Sequence, residues 1–457
     1  MNTSVNVRDV VLAGGKQTLA WRSKAAINGD ELRAQVLLLA RALARLDAHS
    51  IALWLPDSYD FLAAFLALAL AGKRIVLPHT LQAGASVQMA EHFDALLAYE
   101  PQPALTCPQY SPSELMARGL LEPEREYSCH NPVAITLFTS GSTGAPQPVH
   151  KTLQELEAEV AVLAHDFPSV GASPVIASVS HHHIYGLLHV LLWPLYRGAP
   201  FVVEPVQFPE DLIEQLSRYG PAVWVASPTH LARIPQSTVF VASAPLLLEV
   251  FSSGGLLSER AAAGLTAKLA RSPVEVLGST ETGGVAWRRQ SDSPRWRALH
   301  EVELAQSARG CLLVRSSHLN LPDAFEMGDK IATLDGHGFE LLGRVDTVVK
   351  VEGKRLSLTE LEARLSESPL IDQARAAVVR GRRDEVGVVA TLTEAGAQAL
   401  ERSGKHKLNT QLRHYLSGFF DRPLIPRRWR YLEHMPSNAQ GKVLMADIVR
   451  CLEERHS

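Results

Sequence analysis

The sequence predicts an α/β fold in two parts: a large N-terminal domain of layered, mostly parallel sheets with helices, and a smaller α+β domain at the C-terminus. Three observations carry this. From roughly residue 50 to 280, short β-branched or apolar runs alternate with segments of helical period, the pattern of parallel strands covered by helices. After about residue 300 the pattern changes to hairpins and short helices. A chain of 457 residues also exceeds what one ordinary core supports, so two or three folding units are expected.

The strand candidates of the first part are Ile51 to Leu55, Arg74 to Leu77, Val133 to Phe138, Val175 to Val179, Phe201 to Glu204, Ala222 to Ala226 and Val274 to Leu277. Between them, Phe61 to Gly72 is the longest apolar run, too short to span a bilayer and stopped by Gly72-Lys73-Arg74, so it reads as a buried helix. Lys151 to His165 places Leu153, Leu156, Val160 and Leu163 on one helical face. Thr152 with Glu155 three residues on makes a capping box for it. In the second part, Ile331 to Leu334 and Phe339 to Leu342 flank Asp335-Gly336-His337-Gly338, which reads as a hairpin. From Asp346 a short strand, a helix around Thr359 to Ser366, strands near Ala376 to Val379 and Val386 to Thr391, and terminal helices complete a unit of about a hundred residues, an ordinary domain size.

Composition narrows the function. With 45 basic and 48 acidic residues and a formal charge of -3, the surface offers no bulk attraction for nucleic acid or lipid headgroups. Cys107, Cys129, Cys311 and Cys451 show no zinc or disulfide spacing. Met1 to Ala20 lacks the unbroken apolar core of a secretory signal, which places the chain in the cytoplasm. Ser180-His181-His182-His183 invites a metal reading, but three adjacent imidazoles cannot converge on one ion from a strand or helix.

Thr139-Ser140-Gly141-Ser142-Thr143-Gly144 directly follows the apolar run Val133 to Phe138. Glycines let backbone N–H groups turn toward an anion, and small hydroxyls add donors, so this loop is suited to phosphate. A P-loop requires a lysine after the last glycine; here Ala145-Pro146-Gln147 follows. Alone, such a loop is weak evidence. Five further segments follow it in order: Ser252-Ser253-Gly254-Gly255, Gly278-Ser279-Thr280-Glu281-Thr282-Gly283-Gly284, Met327-Gly328-Asp329, Gly343-Arg344-Val345-Asp346 and Gln440-Gly441-Lys442. Together the set resembles the adenylate-forming superfamily of acyl-CoA synthetases, aryl- and 4-coumarate-type CoA ligases, luciferases and peptide-synthetase adenylation domains, from about residue 50 to the end.

The resemblance implies ATP and Mg²⁺ as cofactors, a small carboxylic acid substrate, and CoA or the phosphopantetheine of an acyl carrier protein as acceptor, with no nucleic acid and no membrane span. It implies a nucleotide site from Thr139 to Gly144, Ser253, Gly254, Gly255, Gly278, Ser279, Asp329 for the ribose hydroxyls and Arg344 beside it. Glu281 would be the metal ligand, Thr280 would contact the α-phosphate, Lys442 would bridge carboxylate and α-phosphate, and His183 would orient the acid, with Tyr185 starting the pocket wall. Residues 1–344 would form the ATP- and acid-binding domain and 345–457 a mobile domain pivoting near Asp346, with the loop Lys350 to Arg355 swinging in for the thioester step. The chemistry suits these residue types, since joining one anion to another needs positioning and charge neutralisation rather than a protein nucleophile.

Two departures stand out. Gln147 replaces the usual lysine, with Lys151 as a displaced alternative, and the segment between Gly284 and Gly310 is reduced, which puts the usual CoA contacts in doubt. Arg422, Arg427, Arg428 and Arg430 form a basic cluster that would suit an acidic carrier protein or be a solvated rim. Aryl, medium-chain and long-chain acids all remain open, with an aryl or hydroxyaryl acid preferred for His183 and Tyr185. A luciferase-like oxidase and a non-catalytic binding protein are the alternative functions.

Overall fold

A computed structural model describes residues 6–81, 83–124, 127, 132–140, 146–232, 234, 242–269, 272–345, 348–351, 354–379, 385–420, 422–437 and 443–454. Contacts group the chain into two compact units, Met1–Glu303 with Arg315–Asp323, and Leu304–Val314 with Ala324–Ser457.

The first unit is built on two sheets. One has the strand order Gln109–Tyr110, Ala95–Ala98, Ser50–Trp54, Arg74–Leu77, Ala134–Ser140, Pro146–Thr152, parallel except for the last pair. The other has nine strands, with Val175–Ala177, Ala222–Ala226, Leu247–Ser252 and Val274–Ser279 parallel at its centre. At one side Val274–Ser279 turns back as Gly283–Arg288, antiparallel. Strands buried on both faces need apolar side chains throughout rather than in alternation, and Ala222–Ala226 is buried at every position. The helix Ser58–Leu70 is likewise buried at every position but Asp60, as its nearly all-round apolar sequence requires. No described helix is long and apolar enough to cross a membrane.

Capping chemistry fixes the start of the helix that follows the strand Pro146–Thr152. Thr152 accepts from the Glu155 N–H while the Glu155 carboxylate accepts from the Thr152 N–H, closing the capping box of Leu153–Asp166. The strand before it, Pro146–Thr152, contains Pro146 and Pro148, and is an edge strand, where a missing N–H is tolerated.

The two sheets of this unit meet through the histidine run. His181 and His182 lie in a turn and are buried. His181 bonds through Nε2 to the Leu55 carbonyl at 2.8 Å. His182 stacks on Trp54 at 4.1 Å and meets the edge of Phe61 at 5.2 Å. Burial holds both imidazoles neutral, lowering His181 to about 4 and His182 well below its usual value.

The second unit holds a four-stranded sheet ending in the hairpin Phe325–Asp335 and Gly338–Arg344, joined at Asp335↔Gly338 across Gly336 and His337. It also holds the three-stranded sheet Ile371–Val379, Glu385–Leu392, Arg428–Tyr431, packed on the helices Leu358–Glu367 and Glu394–Leu416 through a core that includes Leu361, Leu365, Val388, Leu412 and Trp429. Asp346 lies outside the described residues.

The buried histidines make stability pH-dependent. In the unfolded chain each titrates near 6.5, whereas in the folded chain His181 and His318 titrate near 4. The unfolded state therefore takes up more protons as pH falls, and the stability present above about 6.5 is lost toward 4 at roughly 1.4 kcal/mol per pH unit for each such histidine. Urea midpoints at about pH 7.5 and about pH 5.5 should show a clear loss at the lower pH, and His181→Gln should flatten the slope.

Candidate active site

Four loop segments leave the nine-stranded sheet along one edge. His183 follows the Val175–Ala177 strand, Ser227 to Thr229 follow Ala222–Ala226, Ser253 to Gly255 follow Leu247–Ser252, and Gly278 to Glu281 end Val274–Ser279. Because these strands are parallel, all four come off the carboxyl edge, where open α/β sheets bind ligands.

The turn carrying Thr280 and Glu281 is closed by its own hydroxyls. The Thr282 N–H donates to Ser279 Oγ at 3.2 Å, the Ser279 N–H donates to Thr282 Oγ1 at 3.1 Å, and the Thr282 hydroxyl donates to the Gly283 carbonyl at 2.9 Å. Thr282 is fully buried while Thr280 and Glu281 stand half-exposed at the tip. Glycine is required at two places. A Cβ at Gly278 would sit 2.9 Å from the Gly283 carbonyl carbon, and Gly283 itself has φ +69°, a conformation side chains disfavour. Glu281 is a hard oxygen donor at a partly open turn, which fits a Mg²⁺ ion.

Buried carboxylates hold this hairpin and the loop beside it. Glu275, 1% exposed, takes Arg288 in a bidentate pair at 2.9 and 3.1 Å, the Gln290 amide at 2.7 Å and the Leu257 N–H at 3.1 Å. Gln290 also donates to the Leu257 carbonyl at 2.8 Å, so the segment after Gly254 and Gly255 is tied at both backbone polar groups. Ser253 donates its hydroxyl to the Val276 carbonyl at 2.9 Å. Glu249, also buried, pairs with Arg289. A charge in such a place needs a partner of matched geometry.

Thr139 and Ser140 end the Ala134–Ser140 strand, and the pairing with Pro146–Thr152 runs as far as Ser140↔Pro146. Gly141, Ser142, Thr143 and Gly144 lie outside the described residues. Gln147, opposite Thr139, is exposed. Lys151 is four residues on, roughly 13 Å along the strand, and is buried. Its ammonium donates to the His318 carbonyl at 3.5 Å, and its pKa is lowered by burial against the opposing pull of Glu155, Glu159 and Glu281. Lys151 thus lies buried beside the His318 carbonyl, whereas Gln147 is exposed.

Glu159 is the site residue that sequence reasoning misses. Its carboxylate, 3% exposed, accepts the Gly284 N–H at 2.6 Å, and His318 Nε2 donates to the Gly284 carbonyl at 2.9 Å. Burial pushes Glu159 up to about 7, against the Gly284 bond and the Lys151 charge. A signal exists in the sequence: Glu159 falls on the apolar face marked by Leu156, Val160 and Leu163, and a charge facing a core requires a partner.

His183 starts a short helix, with its carbonyl accepting the Leu187 N–H at 2.7 Å. The next six residues, Leu187–Leu192, form a π-helix, a geometry often found at functional sites. It sets His189 against Tyr185 at 4.5 Å and against Trp193 and Phe251, each at 5.6 Å. Trp224 lies in the core, its indole N–H on Ser178 Oγ at 2.9 Å. Among the described residues the one cluster of metal-ligating side chains is exposed His165 and His300 with half-buried Asp166, separate from the histidine run.

In the second unit Asp329 and Arg344 are cross-strand partners, paired at 3.0 Å with Asp329 buried and Arg344 exposed. Lys442 lies outside the described residues. The basic cluster is partly consumed by structure: Arg428 pairs with Glu385 at 3.2 Å, and Arg430 donates to the carbonyls of Cys451 and Glu454 at the end of the helix Met445–Glu453.

The family model described as AMP-binding enzyme matches residues 12–305. The chain belongs to this family. The 4-coumarate-CoA ligase of Cereibacter sphaeroides is 28% identical over 319 residues, covering 67% of this chain and 69% of that protein. A benzoate CoA ligase from Burkholderia xenovorans LB400 superposes with a TM-score of 0.80 at 18% identity, over 98% of this chain and 99% of that one. ATP-bound MatB from Rhodopseudomonas palustris gives 0.79 at 18%, over 96% and 97%. At these identities the structural likeness speaks for the fold. This AMP-binding enzyme is of the ATP-dependent acyl-CoA/aryl-CoA ligase kind.

Removing the buried Glu275 carboxylate leaves the partly buried Arg288 guanidinium without its countercharge. Glu275→Ala should cost roughly 3–5 kcal/mol in urea unfolding, whereas an exposed pair such as Arg118 with Glu114 should cost under about 1 kcal/mol when broken.

Proposed function

We propose that the chain adenylates an aryl carboxylic acid with ATP, releasing pyrophosphate, and then passes the acyl group to the thiol of CoA. The observation that carries this is the shared carboxyl edge of the nine-stranded sheet, from which His183, Ser253 to Gly255 and Gly278 to Glu281 all emerge. Beside it, Tyr185 stands half-buried with its hydroxyl on the Ala226 carbonyl at 3.2 Å, backed by the core residues His189, Trp193 and Phe251, and its ring suits a flat acid. The curated relative that is a 4-coumarate-CoA ligase and the structural neighbour that is a benzoate CoA ligase agree with an aryl substrate.

In this reading the loop Thr139 to Gly144 holds the β- and γ-phosphates. Thr280 contacts the α-phosphate, and Glu281 is a ligand of Mg²⁺, which neutralises phosphate charge when bound. Asp329 accepts the ribose hydroxyls, with Arg344 beside it. His183 orients the substrate carboxylate, and Lys442 bridges it to the α-phosphate as attack proceeds. A flexible ammonium suits a contact made in one step and withdrawn in the next. Residues 345–457 then pivot near Asp346, bringing Lys350 to Arg355 toward the acyl-adenylate for attack by the thiol. CoA is preferred to a carrier protein because Arg428 and Arg430 already have partners in the fold. ATP and CoA are cytoplasmic metabolites, so the activity belongs in the cytoplasm.

Exchange of labelled pyrophosphate into ATP, measured over a panel of aryl and alkyl acids, should depend on an aryl acid. No exchange with any acid would mean a non-catalytic protein, and exchange with alkyl acids only would overturn the substrate class. Lys442→Ala should lower exchange by roughly 100-fold or more while ATP still binds. Asp346→Pro should damage thioester formation more than exchange, since it restricts a pivot and touches no phosphate; equal loss in both counts against the hinge.

A further inference from the structure

We propose that Glu159 is a positioning residue for the turn that presents Thr280 and Glu281. The inference rests on the reading that this turn holds Mg²⁺ and ATP. Glu159 stands in the helix Leu153–Asp166, which follows the hairpin of the phosphate loop, and its carboxylate reaches across to the Gly284 N–H at 2.6 Å. Gly284 is also held by His318 at its carbonyl, so the peptide just beyond the turn is gripped at both polar groups. Thr282 and Ser279 lock the turn from within. Glu281 sits between the two fastenings.

The packing is as specific as the hydrogen bond. A Cβ at Gly283 would lie 2.7 Å from the Glu159 carboxyl carbon, so the carboxylate fills the space that any side chain there would need. A buried carboxylate is an expensive group to place for fold alone. Here it accepts the Gly284 N–H at 2.6 Å, so a backbone donor inside the protein is satisfied by an oxygen at a fixed reach. The strand Pro146–Thr152 runs through Lys151 and Thr152 directly into this helix, so the same helix ties that strand to the turn of Glu281 through Gly284.

The test compares Glu159→Gln, Glu159→Asp and Glu159→Ala in the full chain by exchange kinetics, with Mg²⁺ and the acid titrated separately. Glu159→Gln keeps an oxygen at the same reach and should stay within about threefold of the parent. Glu159→Asp, one methylene too short, and Glu159→Ala should each lower kcat by about tenfold or more and raise the Mg²⁺ half-saturation, with the acid KM moving less than about twofold. A folded Glu159→Asp with parental kcat and Mg²⁺ response would overturn the proposal, as would Glu159→Gln failing as badly as Glu159→Asp. If Glu159→Ala does not fold, the Gln and Asp variants decide. If the parent shows no exchange with any acid, the functional reading fails separately, and amide hydrogen exchange at residues 279–285 decides this one: faster in Glu159→Asp supports it, unchanged overturns it.

Discussion

The hairpin from Val274 to Arg288 depends on carboxylates removed from water. Glu275 inside the strand and Glu159 from a helix each hold one part of it, and Glu249 on the neighbouring strand holds Arg289 just past its end. Every one of these groups would cost several kcal/mol if left alone in the interior, so each is bound to a guanidinium or a backbone N–H at 3.1 Å or less. Desolvation thereby becomes a source of rigidity. A hairpin that could slide or twist would strand a buried charge, and the turn at its tip inherits that stiffness.

The arrangement explains why one edge of the sheet can be chemically rich without being soft. Parallel strands deliver their loops to a common edge, but loops alone are mobile. The loop after Leu247–Ser252 is fastened through Ser253 and Leu257, and the turn after Val274–Ser279 through Thr282 and Gly284. The tip residues Thr280 and Glu281 are left half-exposed on a fixed base.

Much of the fold was legible in the sequence because its signals are local. Arg74–Leu77 and Ala222–Ala226 stand where their β-branched runs place them, and the Thr152–Glu155 capping box sets the helix start within two residues of the expectation. The strand Ala95–Ala98 was not legible: four residues of alanine and leucine favour helix on propensity, and only the parallel partner Ser50–Trp54 makes them a strand. Leu247–Ser252 was hidden by Glu249, whose partner Arg289 lies forty residues on. At the candidate site, the order of the glycine- and hydroxyl-rich segments was readable, while Gly141 to Gly144, Asp346 and Lys442 lie outside the described residues. What spacing could not supply was the long-range support, since Glu159 meets Gly284 across 125 residues of chain.

The contact between Glu159 and Gly283 also restricts how this chain can diverge. Gly283 is limited by its positive φ and by the carboxylate lying against it, and Glu159 is limited by the N–H it must reach. Neither can change much while the other stays. Drift at these two positions is therefore correlated: a descendant that gains a side chain at the glycine must first shorten or redirect the acid, and passes through an intermediate in which the Gly284 N–H has lost its acceptor.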